Sequence, residues 1–266
     1  MDIEEAKQVG IEAIYRAARV LRNHFGRISQ INQKGAFDLV TEADTESEKQ
    51  IIETIWETFP DHAILAEESG ANQGVAEYQW LIDPLDGTTN YVHRLPIFTI
   101  SIALAVREKI VLGLVLNPMD GELYSAIAGK GAALNGKPIR VSSTESVRES
   151  LLVTGFPYDF SEIAKPAMRR FSICQQASQG VRRLGSAALD ICYLACGRFD
   201  GFWEQNLKPW DKAAGVIIAA EAGAVVTDFS NQPFSINQKE ILVTNGKIHQ
   251  EMLSLLDIGD QNLSQK

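Results

Sequence analysis

Cysteine is scarce: the chain holds only Cys174, Cys192 and Cys196 among its 266 residues. An odd, unpatterned set excludes a disulfide framework and predicts reduced thiols in a cytoplasmic protein. Cys192 and Cys196 stand four apart, the spacing of one helix face, and read as small buried apolar groups. Histidine is sparse too. His24, His62, His93 and His249 are scattered, and no Ser–His–Asp set is apparent. His93 follows soon after two aspartates, where a loop or core role competes with a catalytic one. No lysine loop of the Walker A type occurs.

No apolar run could span a bilayer, which needs ~20 residues. The longest, AAGVIIAAEAGAVV at 213–226, is broken by Glu221. The first ten residues, MDIEEAKQVG, are acidic and lack the apolar centre of a secretory leader, so no membrane role is expected. Positive charge is in deficit, with 25 Lys and Arg against 34 Asp and Glu and a net charge of -9. Direct nucleic-acid binding needs basic residues to neutralise phosphates, and this balance argues against it. Arg169-Arg170 and Arg182-Arg183 are local exceptions that read as solvated faces or dimer contacts, or else as a partner surface. Repeats, low-complexity stretches and Gly/Ser/Pro-rich linkers are absent, so two packed halves with a shared cleft are expected.

What is present is a change of grammar near residue 145. Before it, Ile3, Ala6, Gly10, Ala13, Ile14, Ala17 and Leu21 describe an amphipathic helix over 3–25, and a second runs from Thr45 to Phe59, stopped by Pro60. FTISIALAV and IVLGLVLN read as strands joined at Arg107-Glu108-Lys109, with hairpin signals at Asp120-Gly121 and Asn135-Gly136. After it, strands and helices alternate to the C-terminus. The fold class is α/β (α+β), with an N-terminal half (1–145) built on an antiparallel sheet with helices and a C-terminal α/β half (146–266).

Four acidic stations carry the chemistry. WLIDPLDGTT, from Trp80 to Thr89, drives a buried-looking strand into Asp83 and Asp86. LAEESG places Glu67 and Glu68 after an apolar approach, KPWDKAAG places Asp211 at a helix start, and DLVTEADTESE places Asp44 between strand and helix. Alone, each also reads as a turn or a helix N-cap. Two carboxylates held together repel unless a cation lies between them, and hard oxygen ligands suit Mg²⁺. Together the stations read as a multi-metal site for phosphoryl transfer. Gly87-Thr88-Thr89 adds a glycine for close approach and amides at a helix start for a phosphate.

DLVTEAD, AEES, WLIDPLDGTTNYVHRLP, GSAALD and FWEQNLKPWDKAAG, spread over about 35–245, make the chain resemble the inositol monophosphatase family of the lithium-sensitive, Mg²⁺-dependent phosphatase superfamily. The resemblance implies a layered αβαβα sandwich, a homodimer, and two or three Mg²⁺ per active site. Glu67, Asp83 and the Leu85 carbonyl would hold the first ion, Asp83, Asp86 and Asp211 the second, and Glu67 with water a third. Asp44 and Thr88 would orient and deprotonate the attacking water, with Glu67 in the same catalytic set. The amides of Gly87 and Thr88, with Thr89 beside them, would bind phosphate. Asp86, Ala187, Glu204 and Asp211 would meet substrate hydroxyls, with Gly185 and Ser186 shaping the wall.

Glu204, seven residues before Asp211, stands where inositol-preferring members carry a glutamate. The implied reaction is therefore hydrolysis of myo-inositol monophosphate to inositol and phosphate. Related phosphatases for histidinol phosphate, fructose 1,6-bisphosphate or 3'-phosphoadenosine-5'-phosphate are the alternatives, as is a transcription-complex role alongside activity. Ala66 and Ser186 replace the commoner glycine and threonine. Lys34 is one residue closer to Asp38 than the family pattern, which leaves its role open. VTGFPYD and NLKPWD resemble bacterial members.

Overall fold

The computed structural model describes residues 1–27, 31–33, 39–72, 75–157 and 163–258. Lys34 and Asp38 lie outside them. Helix α1 (Ile3–His24) starts at Asp2, whose carboxylate accepts the Glu4 amide at 2.9 Å. Strands β1 (Ile31–Gln33) and β2 (Leu39–Thr41) form a small antiparallel pair leading into α2 (Glu42–Thr58). Then come β3 (His62–Ala66), β4 (Gly70–Asn72), β5 (Val75–Asp86), the short α3 (Thr88–Val92), β6 (Thr99–Val106), β7 (Lys109–Asn117), β8 (Glu122–Ile127), β9 (Ala132–Leu134) and β10 (Lys137–Pro138). The second half holds β11 (Leu151–Thr154), α4 (Ala164–Ala177), β12 (Gly180–Arg182), α5 (Ala187–Ala195), β13 (Gly201–Gln205), α6 (Pro209–Glu221), β14 (Val225–Thr227), β15 (Glu240–Thr244) and α7 (His249–Leu256).

Strands β3–β10 form one sheet in the order β10-β9-β8-β7-β6-β5-β3-β4, antiparallel except where β3 runs parallel to β5. The other sheet, β12-β11-β13-β15-β14, is parallel across β12-β11-β13 and antiparallel across β13-β15-β14.

Side-chain alternation along the strands sets the layers. Trp80 and Ile82 point to the face covered by α1 and α2, while Leu81 between them points to α5 and α6. Val153 and Phe202 meet the same inner helices, and Leu152 and Trp203 meet Cys174 of α4 and Met252 of α7. The result is the expected αβαβα sandwich, with α5 and α6 buried between the sheets. All three cysteines are free, as expected. Among the described residues, no helix is long and apolar enough to cross a membrane.

Two helix starts differ from the sequence expectation. Helix α2 begins at Glu42 rather than Thr45, because Thr41 is its N-cap. Asp44 is the third helical residue and its carboxylate accepts the Thr41 amide, a reciprocal capping box. Asp211 likewise is not an N-cap: it sits at the third position of α6 and accepts the Lys208 amide at 2.7 Å.

Candidate active site

The two aspartates of β5 share one cleft because the strand is bulged. In a regular strand, residues three apart face opposite sides. Here Asp83 pairs with Ser101 and Asp86 with Thr99, so two residues of β5 oppose one of β6. The extra residue turns both carboxyls the same way. Pro84 fits inside this bulge, where no ladder donor is demanded.

The turn is braced from several directions. Asp83 Oδ1 accepts the Leu85 amide at 3.0 Å, and Ser47 Oγ of α2 donates to the Pro84 carbonyl at 3.0 Å. Gly87 then takes φ +105°, and a Cβ there would lie 3.0 Å from the Ile97 carbonyl and 3.2 Å from that of Gly185. Only glycine fits such a left-handed, crowded position.

A cleft of about 730 Å³ opens at this turn. Glu67, Asp83, Leu85, Asp86, Gly87 and Thr88 line one side, and Gly185, Ser186, Ala187, Glu204 and Asp211 the other. Asp44 and Thr89 do not line it. Asp44, 1% exposed, reaches it through Thr88, whose hydroxyl lies 3.2 Å from Asp44 Oδ1 and 3.1 Å from the Leu85 carbonyl. Thr89 is half-buried in the first turn of α3. His93 is exposed and also lies outside the cleft lining. Asp86 spans the two sides, since its Oδ2 accepts the Ser186 hydroxyl and the Ala188 amide, both at 2.7 Å.

Burial, then the charges of Glu67, Asp86 and Asp211, hold the Asp83 carboxyl well above the usual carboxylate range. Burial pushes Asp86 up to about 6. Burial and then Asp86 push Asp211 up to about 7. Such mutual repulsion is what a bound cation offsets. The donors are four carboxyls and the Leu85 carbonyl, an all-oxygen set that fits a hard divalent ion such as Mg²⁺. Among the described residues, no three acidic, histidine or cysteine side chains yet close on one point. Asp83, Asp86 and Asp211 each keep an oxygen on a protein donor instead.

The sequence model of the Inositol monophosphatase family matches residues 2–259. The chain belongs to the inositol monophosphatase family. An inositol-1-monophosphatase of Synechocystis is 45% identical over 257 residues, covering 96% of this chain and 90% of the relative. The Nus factor SuhB of Vibrio cholerae is 46% identical over 222 residues, covering 81% and 83%. The solved inositol monophosphatase of Anabaena superposes with a TM-score of 0.88 at 41% identity, covering 96% of both chains.

Within this inositol monophosphatase fold, two residues that brace the cleft, Glu48 and Asn90, escaped the sequence reading. Glu48 of α2 is buried, and its carboxylate accepts the amides of Glu68 and Ser69 at 2.8 and 2.9 Å. It therefore fixes the turn that carries Glu67. The available signal was a charged residue on the inward face of α2, beside Ser47 and Ile51. Asn90 donates to the carbonyls of Ile97 and Leu184, both at 2.8 Å, joining the α3 turn to the opposite wall. Arg170, read from the sequence as part of a solvated face, a dimer contact or a partner surface, instead donates to the Leu256 carbonyl and Gln205 and lies over Phe229, so it ties elements of the fold together. Arg183 lines the cleft.

Groups that orient metal ligands from behind typically contribute 10- to 100-fold in affinity or activity. On the reading proposed below, in which Glu67 holds Mg²⁺, Glu48→Ala should raise the Mg²⁺ concentration for half-maximal activity roughly tenfold. A Mg²⁺ activation curve identical to wild type would show that the turn holds without it.

Proposed function

We propose that the chain is a Mg²⁺-dependent phosphomonoesterase that hydrolyses myo-inositol monophosphate to inositol and phosphate. The observation that carries this reading is the meeting of Glu67, Asp83, Asp86 and Asp211 with Glu204 on a single cleft. Those four acids and the Leu85 carbonyl would hold two or three Mg²⁺, which would supply charge neutralisation for the phosphoryl group. Asp44 and Thr88 orient the attacking water and take its proton. The amides of Gly87 and Thr88 hold phosphate oxygens.

Asp86, Ala187, Glu204 and Asp211 meet the hydroxyls of the alcohol, against a wall shaped by Gly185 and Ser186. Glu204 is 6% exposed at the β13 end of the cleft. A Cβ at Gly155 would fall 2.2 to 2.4 Å from its carboxylate atoms, so the glycine is what leaves the group its room. The site lies between the halves 1–145 and 146–266, in a homodimeric, cytoplasmic enzyme sensitive to lithium.

The test is a panel of myo-inositol 1-phosphate, fructose 1,6-bisphosphate, histidinol phosphate and 3'-phosphoadenosine-5'-phosphate, with Mg²⁺ and with excess chelator. The inositol ester should be the best substrate, and chelator should abolish turnover. Glu204→Ala should lower kcat/KM on it roughly tenfold more than on hydroxyl-free p-nitrophenyl phosphate. An unaltered inositol-phosphate rate in that variant would remove Glu204 from the recognition set.

The likeness to a Nus factor supports a second reading, a role in a transcription complex alongside activity. The net charge of -9 favours contact with protein over direct contact with RNA. Inactive Asp86→Asn protein that still captures a polymerase complex supports this reading, and capture of nothing counts against it.

A further inference from the structure

Among the described residues, Oδ1 of Asp190 is the one buried side-chain polar atom with no hydrogen-bond partner. Asp190 lies in the first turn of α5, is 1% exposed, and lines the cleft together with Glu204 and Arg183. Glu204 is the largest charge acting on it, then Asp86, with Arg183 opposing them. Burial first, then Glu204, holds the Asp190 carboxyl well above the usual carboxylate range. Glu204 is held high in the same way, by burial and then by Asp211 and Asp86. Glu204 is 6% exposed and lines the same cleft. The two carboxyls lie in one cleft lining, near enough for the charge of Glu204 to act on Asp190.

An unpaired oxygen in a buried site costs its desolvation, and native folds keep such groups rarely. Here the group stands in an otherwise apolar helix, Ala187–Ala195, where a hydrophobic side chain would pack at no such cost. Its position in the cleft indicates what relieves it. A phosphate oxygen meets the ionised carboxyl as one acceptor meeting another, and the charges of Glu204 and Asp86 oppose an anion beside either form. An apolar group offers no hydrogen bond. A hydroxyl both donates and accepts, and so satisfies a carboxyl in either protonation form.

We infer that Asp190 is a second hydroxyl-reading residue, which with Glu204 receives neighbouring hydroxyl groups of the alcohol part of the substrate. The inference rests on the phosphomonoesterase reading above and names the part of the alcohol that the cleft selects. A wall of buried groups left unpaired by the wrong alcohol is also the arrangement that discriminates strongly against it.

The test uses the full chain with Mg²⁺. Asp190→Ala and Asp190→Asn are compared with wild type for kcat and KM on myo-inositol 1-phosphate and on p-nitrophenyl phosphate, which has no hydroxyl. Melting temperatures are measured alongside. Asp190→Ala should lose roughly 10- to 100-fold more kcat/KM on the inositol ester than on the nitrophenyl ester. Asp190→Asn, which can still donate and accept, should recover most of that difference. The alanine variant should melt no lower than wild type, because it removes a buried carboxyl with an unpaired oxygen.

Equal losses on both esters together with a lower melting temperature would assign Asp190 to packing and overturn the inference. An unchanged ratio would overturn it too. Failure of the underlying reading looks different: wild type would cleave the nitrophenyl ester and leave inositol 1-phosphate intact. The ratio is then taken with fructose 1,6-bisphosphate, whose hydroxyls put the same question to Asp190.

Discussion

Asp86→Asn should lower kcat by roughly a thousandfold or more, a loss expected when a preorganised charge at a phosphoryl-transfer site is removed. The substitution is close to isosteric. Its amide oxygen can take the place of Oδ2 and keep the Ser186 hydroxyl and the Ala188 amide, both now at 2.7 Å. The link between the α3 turn and α5 therefore survives. What disappears is one negative charge from a cleft where Asp83 and Asp211 both feel it.

Without a cation that charge is a burden, since burial already pushes Asp86 up to about 6. The variant should consequently melt at or above the wild-type temperature while binding Mg²⁺ more weakly. Steady-state rates at saturating Mg²⁺, a Mg²⁺ titration and a thermal melt measure the three quantities. Wild-type turnover by Asp86→Asn in excess chelator would sink the metal-dependent reading.

The parts of this site that could be read from the sequence are those fixed by short-range structure. Trp80-Leu81-Ile82 reads as a buried strand, and the acids at its end follow within four residues. Hairpins were readable where the turn carries its own chemistry, as at Asn135-Gly136, where both residues have positive φ. Arg107-Glu108 has the same backbone without glycine or asparagine, and only the apolar runs on either side reveal it.

The capping of α2 and α6 was misplaced for a related reason. Thr41 and Asp44 both suit an N-cap in isolation, and the reciprocal bonds that choose between them form only in the folded turn.

The residues that were missed have partners distant in sequence. Asn90 meets the Leu184 carbonyl 94 residues away, and Glu48 clamps amides 20 and 21 residues on. Gly155 looks like an ordinary turn glycine until β11 and β13 lie side by side and bring Glu204 against it. Asp190 was visible only as the acid in GSAALD, and the lack of a partner for its Oδ1 shows only once the helix is packed.

Asp44→Asn tests the other half of the chemistry and should lower kcat by about 10² to 10⁴, the usual contribution of a positioned general base. Asp44 is buried behind Thr88 rather than in the cleft, so on the proposed mechanism a proton from a cleft water would reach it through the Thr88 hydroxyl. That hydroxyl has one proton and two acceptors, Asp44 Oδ1 at 3.2 Å and the Leu85 carbonyl at 3.1 Å. Its lone pairs remain available to a water on the cleft side. Burial raises the affinity of the Asp44 carboxyl for a proton, while hydrogen bonds from Thr41 and Thr88 lower it.

The asparagine oxygen can still accept the Thr41 amide that closes the capping box, now at 2.8 Å, so the melting temperature should change little. The new amide group then donates toward Thr88 and turns that hydroxyl to the Leu85 carbonyl, which removes the proton's route. Thr88→Val interrupts the same path one step earlier. Residues that act as one unit are far from additive. The double variant Asp44→Asn/Thr88→Val should thus lose no more kcat than the worse single variant. Losses that multiply would mean that Asp44 and Thr88 act separately, and the relay would be abandoned.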